Sequence, residues 1–368
     1  MTRRILNRTL WTLACLIILI VVISSSLYIY DFSKSDTNLT IENIKAKQTH
    51  VFEPVLPNKA VQFPNDFKIH SEYRFEIWSF VAMLNDTKGN EYLAQWYLYR
   101  RATSENKKSG WESPQIYASQ VALTTPDNIY SAERFARGGI GLVGMRSRPY
   151  RLSIDNWVWR SFSSYPVPGR LLLKTDDFKL DLKLQQNGSY IPMGDRGYQV
   201  TNKLQSQAIY GYQAPYIGAS GTVNIGERKY ALSGNVWLNQ IWGSTEPKPE
   251  QSHIRFLYRL NNGKVLFLTQ VISPSGLPHI YGSIMDHTGQ VHTLDNSNVE
   301  LTSSGTSTLS NGKVLPLQWT INIPKFKIFL TSDATRREQW LDLSIPSWSG
   351  TVRASGSENA RGFMQVIE

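Results

Sequence analysis

His70–Arg101 reads HSEYRFEIWSFVAMLNDTKGNEYLAQWYLYRR, and this stretch decides the fold. Its two arms, Glu76–Leu84 and Glu91–Tyr99, are rich in the aromatic and branched residues that suit a pleated, half-buried surface. Between them, Asn85-Asp86-Thr87-Lys88-Gly89-Asn90 is turn chemistry with a glycine available for positive φ. The stretch therefore reads as a long β-hairpin. Period two groups Glu76, Trp78 and Phe80 on one face of the first arm, and Gln95, Tyr97 and Tyr99 on one face of the second. A carboxylate and an amide among large rings suit a mostly apolar pocket with a few polar contacts. The plainer alternative is a sheet edge on which Glu76 pairs with an arginine.

Working outward, Gln115–Leu123, Tyr150–Phe162 and Phe178–Gln186 alternate like strands. Gly138-Gly139-Ile140-Gly141-Leu142 lacks both the strand-to-helix context and the Lys-Ser/Thr pair of a phosphate cradle, so its glycines fit a sharp bend in a curved sheet. Gly194-Asp195-Arg196-Gly197 follows Pro192 in a turn, where Asp195 and Arg196 either pair with each other or line a pocket mouth. Alternation lapses near Ser206–Pro215, the expected domain boundary. Beyond it come a hairpin turned at Gly226-Glu227 and another, His253–Leu260 and Lys264–Ile272, turned at Asn261-Asn262-Gly263. Further strands are expected at His279–Met285, Gln290–Leu294, Leu317–Ile323, Lys327–Thr331, Trp340–Leu343 and Gly350–Ala354. The His253–Ile272 hairpin loosely echoes the first one, as if one β unit were duplicated.

The 368 residues are 41% hydrophobic and can fill two cores; 12% aromatics in short alternating runs indicate an all-β chain. The net charge of +10 is dispersed apart from Arg3, Arg4 and Arg8, and no nucleic-acid module is present. Leu10–Tyr30 follows those arginines without a charged residue, long enough for a membrane span with its amino terminus in the cytoplasm. A cleaved signal peptide competes, since the strongly apolar core is only Leu10–Ile23 and Ser24-Ser25-Ser26 follows. Asp31–Ala60 reads as a linker. Cys15 is the only cysteine, so no intrachain disulfide forms. The expected organisation is thus 1–30 tail and transmembrane helix, 31–60 linker, 61–207 first β domain and 208–368 second β domain.

Six histidines, at 50, 70, 253, 279, 287 and 292, show no metal-ligand spacing, so no metal or cofactor is expected. The chain also lacks a Gly-x-Ser-x-Gly nucleophile elbow.

Ser71–Trp78 (SEYRFEIW), Gln95–Arg101 (QWYLYRR), Glu133–Gly144 (ERFARGGIGLVG), Gly194–Gly197 (GDRG) and Gly221–Trp242 (GTVNIGERKYALSGNVWLNQIW) occur in one order. In these segments the chain resembles the lipocalin-like AttH/CrtC family of predicted secreted hydrolases and carotenoid 1,2-hydratases. The resemblance implies two lipocalin-like β-barrel or sandwich domains and a bacterial envelope location, with the bulk of the chain in the periplasm or outside. In the family, the segment matching Trp237–Trp242 commonly reads Trp-Met-Asp-His-Glu-Trp. Here it reads Trp237-Leu238-Asn239-Gln240-Ile241-Trp242, and all three titratable groups are gone. Asn239 and Gln240 still form hydrogen bonds but transfer no protons at neutral pH.

The remaining candidates are Glu76 as a buried acid, with Trp78, Gln95, Trp96, Arg100, Asp195, Arg196, Trp237, Asn239, Gln240 and Trp242 as ligand contacts. The leading expectation is a membrane-anchored protein that binds an apolar or amphiphilic, lipid- or isoprenoid-like molecule. By family association it would work beside an ABC-type transporter. One alternative is a cofactor-independent hydratase or isomerase in which Glu76 donates the proton and Asn239 and Gln240 position water. The other is an assembly protein whose tryptophans are plain core.

Overall fold

A computed structural model describes residues 52–368 apart from 106, 107, 203, 205, 249, 275 and 277. The expected membrane helix and most of the expected linker lie outside the described residues. Among the described residues no helix is long and apolar enough to cross a membrane. Apart from two single 3-10 turns, every regular element is a strand, as the alternating pattern requires.

The first thirteen strands are β1 (Phe75–Asp86), β2 (Glu91–Ala102), β3 (Gln115–Thr124), β4 (Ile129–Arg137), β5 (Val143–Ser147), β6 (Tyr150–Ile154), β7 (Trp157–Ser161), β8 (Gly169–Lys174), β9 (Phe178–Gln186), β10 (Ile191–Pro192), β11 (Tyr198–Val200), β12 (Ala208–Ile225) and β13 (Arg228–Gly243). They form one nearly closed, barrel-like sheet in the order β4-β3-β2-β1-β13-β12-β9-β8-β7-β6-β5, with β10 and β11 on β12. The quoted hairpin is β1 and β2, turned with Gly89 at φ 84°. Tyr150–Phe162 is a second hairpin rather than one strand, because Asp155 takes a left-handed φ of 51° and reverses the chain. Gly139 and Gly141, at φ 84° and 85°, make the bend between β4 and β5.

The remaining strands are β14 (Ser252–Leu260), β15 (Val265–Ile272), β16 (Pro278–Met285), β17 (Val291–Asp295), β18 (Glu300–Thr308), β19 (Val314–Ile323), β20 (Ile328–Ala334), β21 (Trp340–Leu341), β22 (Ser347–Gly356) and β23 (Ala360–Ile367). They form a half-barrel ordered β17-β16-β15-β14-β23-β22-β20-β19-β18, with β21 on β22. β18 escapes the sequence reading: ELTSSGTST has no apolar alternation, and it lies at the sheet edge with breaks in register around Gly305.

The passage between sheets falls at 244–251, which corrects the 207/208 division. β12 contains most of that lapse and β13 follows it, yet β13 pairs with the whole of β1 over Leu232–Gly243, and β12 pairs with β9 and β13. The lapse marks strands buried on both faces, where alternation has no polar side to display. The echo between hairpins has a topological counterpart. β1 of the first hairpin adjoins the last strand of its sheet, β13, as β14 of the second adjoins β23, with β2 and β15 on their far sides.

Each sheet encloses its own core: Trp78, Phe80, Trp96 and Trp159 lie in the first, Phe256, Tyr258, Trp319 and Trp348 in the second. A third cluster joins their outer faces, with Val81, Tyr97 and Trp237 of the first sheet against Leu257, Phe267 and Phe363 of the second. All of this is one compact unit spanning Phe52–Glu368.

Candidate functional site

Register divides the expected site residues between two faces. Trp78 lies opposite Leu98 on β2 and Gln240 on β13, and Glu76 opposite Arg100 and Trp242. Pleating therefore sends Glu76, Trp78, Trp96, Arg100, Gln240 and Trp242 into the first barrel. Gln95 lies opposite Val81, Trp237 opposite Val81 and Asn239 opposite Ser79, so these three belong to the outer face that meets the second sheet. Gln95 accordingly does not share a face with Glu76.

Inside the barrel, Glu76 is fully buried and accepts four hydrogen bonds. Its Oε1 takes them from His70 Nδ1 and Gln240 Nε2, both at 2.7 Å. Its Oε2 takes them from the His70 backbone N–H at 2.9 Å and from Arg100 Nε at 3.3 Å. Burial by itself would lift the Glu76 carboxyl, but His70 and Arg100 hold it below the ordinary carboxylate value. Burial likewise works against a charge on His70, yet Glu76 and Asp66 raise the imidazole above its ordinary value. Glu76 is thus an ionised, paired carboxylate, and a proton donor to an alkene needs the reverse.

The same cluster fastens a strap across the barrel end. Arg100 Nη2 donates to the carbonyls of His70 and Tyr73, and Gln240 Nε2 to that of Lys68. The His70 ring stacks on Trp242 at 3.7 Å, and the Tyr212 hydroxyl donates to Gln240 Oε1 at 2.6 Å. Phe67 fills the space beneath, packed against Phe63, Tyr165, Tyr190 and Tyr212. Trp96 Nε1 donates to Ser119, whereas the indole N–H groups of Trp78 and Trp242 are buried without a partner among the described residues.

On the outer face, Trp237 stacks on Phe267 with ring centroids 5.6 Å apart and donates to Gln213 Oε1. Asn239 Nδ2 donates to the Tyr212 carbonyl at 3.1 Å. Beside them, where the sheets part, lies a cavity of about 240 Å³ walled by Phe75, Ile77, Ile209, Ile241, Tyr281 and Ile367. His253 and Arg255 of β14 also line it. Ile241 is the position at which the family segment described above carries its second acid. Asp195 and Arg196 stand apart on the surface, 3.5 Å from each other and mostly exposed.

Sequence reasoning missed His70, Asp66 and Tyr212 in the barrel cluster and His253, Arg255 and Tyr281 at the cavity. Period-two bookkeeping from Glu76 through Gln240 would have shown that residues 239 and 241 face away from 240. No signal in the sequence alone brings β14 against the first sheet. Among the described residues no grouping of three or more His, Cys, Asp or Glu side chains is placed to hold a metal ion.

The scaffold is all-β, a barrel-like sheet backed by a half-barrel with a cavity between them. Residues 54–367 match the AttH-like family model, and the chain belongs to that family. It is similar to the crystal structure of a protein assigned to AttH from Nitrosomonas europaea, with a TM-score of 0.77 at 22% identity, covering 86% of this chain and 98% of that one. Kievitone hydratase from Nectria haematococca has the same fold, with a TM-score of 0.64 at 12% identity, covering 87% of this chain and 96% of that one. No curated protein sequence matches the chain.

Proposed function

We propose that the protein is a lipocalin-like carrier that holds an apolar or amphiphilic molecule in the cavity between its sheets and does not transform it. One observation carries this reading: the cavity wall presents the Ile241 side chain where the related segment has a carboxylic acid. The neighbouring acid position is Asn239, whose amide is engaged by a backbone carbonyl. A wall with Ile241 and Asn239 in place of acids lacks proton donors, which suits retention of a ligand better than protonation of one. The hydratase reading has Glu76 as its acid, and Glu76 is ionised and faces the other way.

The charge-free stretch Leu10–Tyr30 supports anchoring in a bacterial inner membrane with the barrels outside the cytoplasm. There the carrier would receive or deliver its ligand beside an ABC-type transporter. Co-purification of transporter subunits from native membranes checks that partnership, and their absence counts against it.

Native mass spectrometry of the full-length chain from its own host tests the carrier reading. A stoichiometric apolar adduct is expected, and Ile241→Trp, which fills the cavity, should remove it while the circular dichroism spectrum stays unchanged. An adduct that survives Ile241→Trp, or a folded protein that never carries one, overturns the proposal.

A further inference from the structure

The cavity between the sheets pairs an apolar wall of Phe75, Ile77, Ile209, Ile241 and Ile367 with polar side chains, Arg255 of β14 among them. Arg255 lies opposite Thr269 on β15 and Gln365 on β23, and Thr269 lies opposite Tyr281 on β16. Four neighbouring strands thus present Tyr281, Thr269, Arg255 and Gln365 in one row toward the first sheet. Arg255 Nε, Thr269 Oγ1 and Gln365 Oε1 are buried without a partner among the described residues, and so are the Tyr97 hydroxyl and the Gln95 amide from the facing strand β2. Buried polar groups are ordinarily paired, and of these residues it is Arg255 that lines the cavity, so its unmade hydrogen bond marks a place that a ligand there would complete.

The charges around it fix its sign. Glu368 is the one carboxylate of the lining, and it pairs with Lys313 at the surface. Burial, with Arg255 nearby, pushes His253 down to about 4, so its imidazole is neutral at physiological pH. Burial pushes the Tyr97 hydroxyl up to about 12, so it offers no counter-charge. Lys248, also in the lining, is exposed at the mouth. The inner end therefore holds a guanidinium with forked donors and no anion of its own, and such a group pairs best with a carboxylate or a phosphate.

We infer that the cavity selects amphiphiles with an anionic head group, carboxylate or phosphate monoester, seated on Arg255, with the chain running along Ile77, Ile209 and Ile241. The inference rests on the carrier reading and adds the ligand's charge to it. At about 240 Å³ the cavity is smaller than most small-molecule sites, which commonly run from roughly 300 to 1,000 Å³, so it encloses a short chain or the head-proximal part of a longer one.

The test is calorimetric titration of the full-length protein, kept free of ionic detergent, with octanoate, octyl phosphate, 1-octanol and octylammonium. The expected order is both anions above octanol, with octylammonium unbound. Arg255→Gln should weaken the preferred anion by about tenfold or more while leaving octanol unchanged. Arg255→Lys should keep the preference in part, and Lys248→Gln should have the smaller effect. Whichever of octanoate and octyl phosphate binds tighter identifies the head group. Octanol binding as tightly as both anions, or an unchanged anion affinity in Arg255→Gln, overturns the inference; if Ile241→Trp still abolishes octanol binding, the carrier reading stands without it. No binding by any of the four probes overturns both. Should Arg255→Gln fail to fold, the ranking of the four probes on the unaltered protein still decides.

Discussion

Gln240 Nε2 donates to Glu76 Oε1 at 2.7 Å across 164 residues of sequence, inside a barrel where both side chains are wholly buried. The bond adds a neutral donor to a carboxylate already flanked by His70 and Arg100. Removing one partner of a buried ion pair leaves the other uncompensated, at a cost of about 3–5 kcal/mol. Glu76→Gln should lower the unfolding free energy by that amount, read as a lower chemical denaturation midpoint, without changing ligand affinity in the cavity between the sheets. An unaltered midpoint would exclude a structural role for the cluster.

The pH dependence follows from the two opposed shifts. The Glu76 carboxyl lies below its ordinary 4.5 when folded, so its contribution is present above 4.5 and is lost as pH falls through the lowered folded value. His70 lies above its ordinary 6.5 when folded, so its contribution is complete below 6.5 and is lost as pH rises through the raised value. The cluster should therefore contribute most between about pH 4.5 and 6.5. His70→Gln should remove the alkaline slope from a plot of unfolding free energy against pH, and a slope identical in the variant would refute the pairing.

Trp237 is fully buried between the two sheets against Phe267. Trp237→Ala should cost about 3–5 kcal/mol and speed amide hydrogen exchange in β13, β14 and β15. Exchange that rises in β13 alone would show that this ring does not couple the sheets.

The Gly-Asp-Arg-Gly turn acts through its glycines. Gly197 has φ 107°, and a Cβ there would meet the Val61 side chain at 2.2 Å. The Val61 N–H also donates to the Arg196 carbonyl. Gly197→Ala should destabilise by about 1–3 kcal/mol, as expected for strain at such a φ, and thermal unfolding measures it. Asp195→Asn, at an exposed pair, should fall within about 0.5 kcal/mol of the unaltered protein. A larger effect of Asp195→Asn than of Gly197→Ala would reverse the assignment.

Much of the strand content was legible because burial on one face writes itself into every second residue, as in β9, β19 and β20. β18 was not, since an edge strand with neither face in a full core need not alternate. Tyr150–Phe162 hid a reversal because its turn uses Asp155-Asn156 without a glycine. Of the residues expected at one site, Glu76, Trp78, Arg100 and Gln240 face the barrel interior, and Trp237 and Asn239 share their sequence neighbourhood while pointing the opposite way.

By itself the sequence determined an all-β chain of paired strands and a wall segment stripped of its acids, because side-chain alternation and residue chemistry are local properties. Only the tertiary structure decided which face each residue serves and that His70 and Arg100 ionise Glu76. It also placed the apolar cavity with Arg255 between the sheets. Cross-strand register and the meeting of β14 with the first sheet join residues more than a hundred positions apart, and electrostatics depends on distance in space, not along the chain.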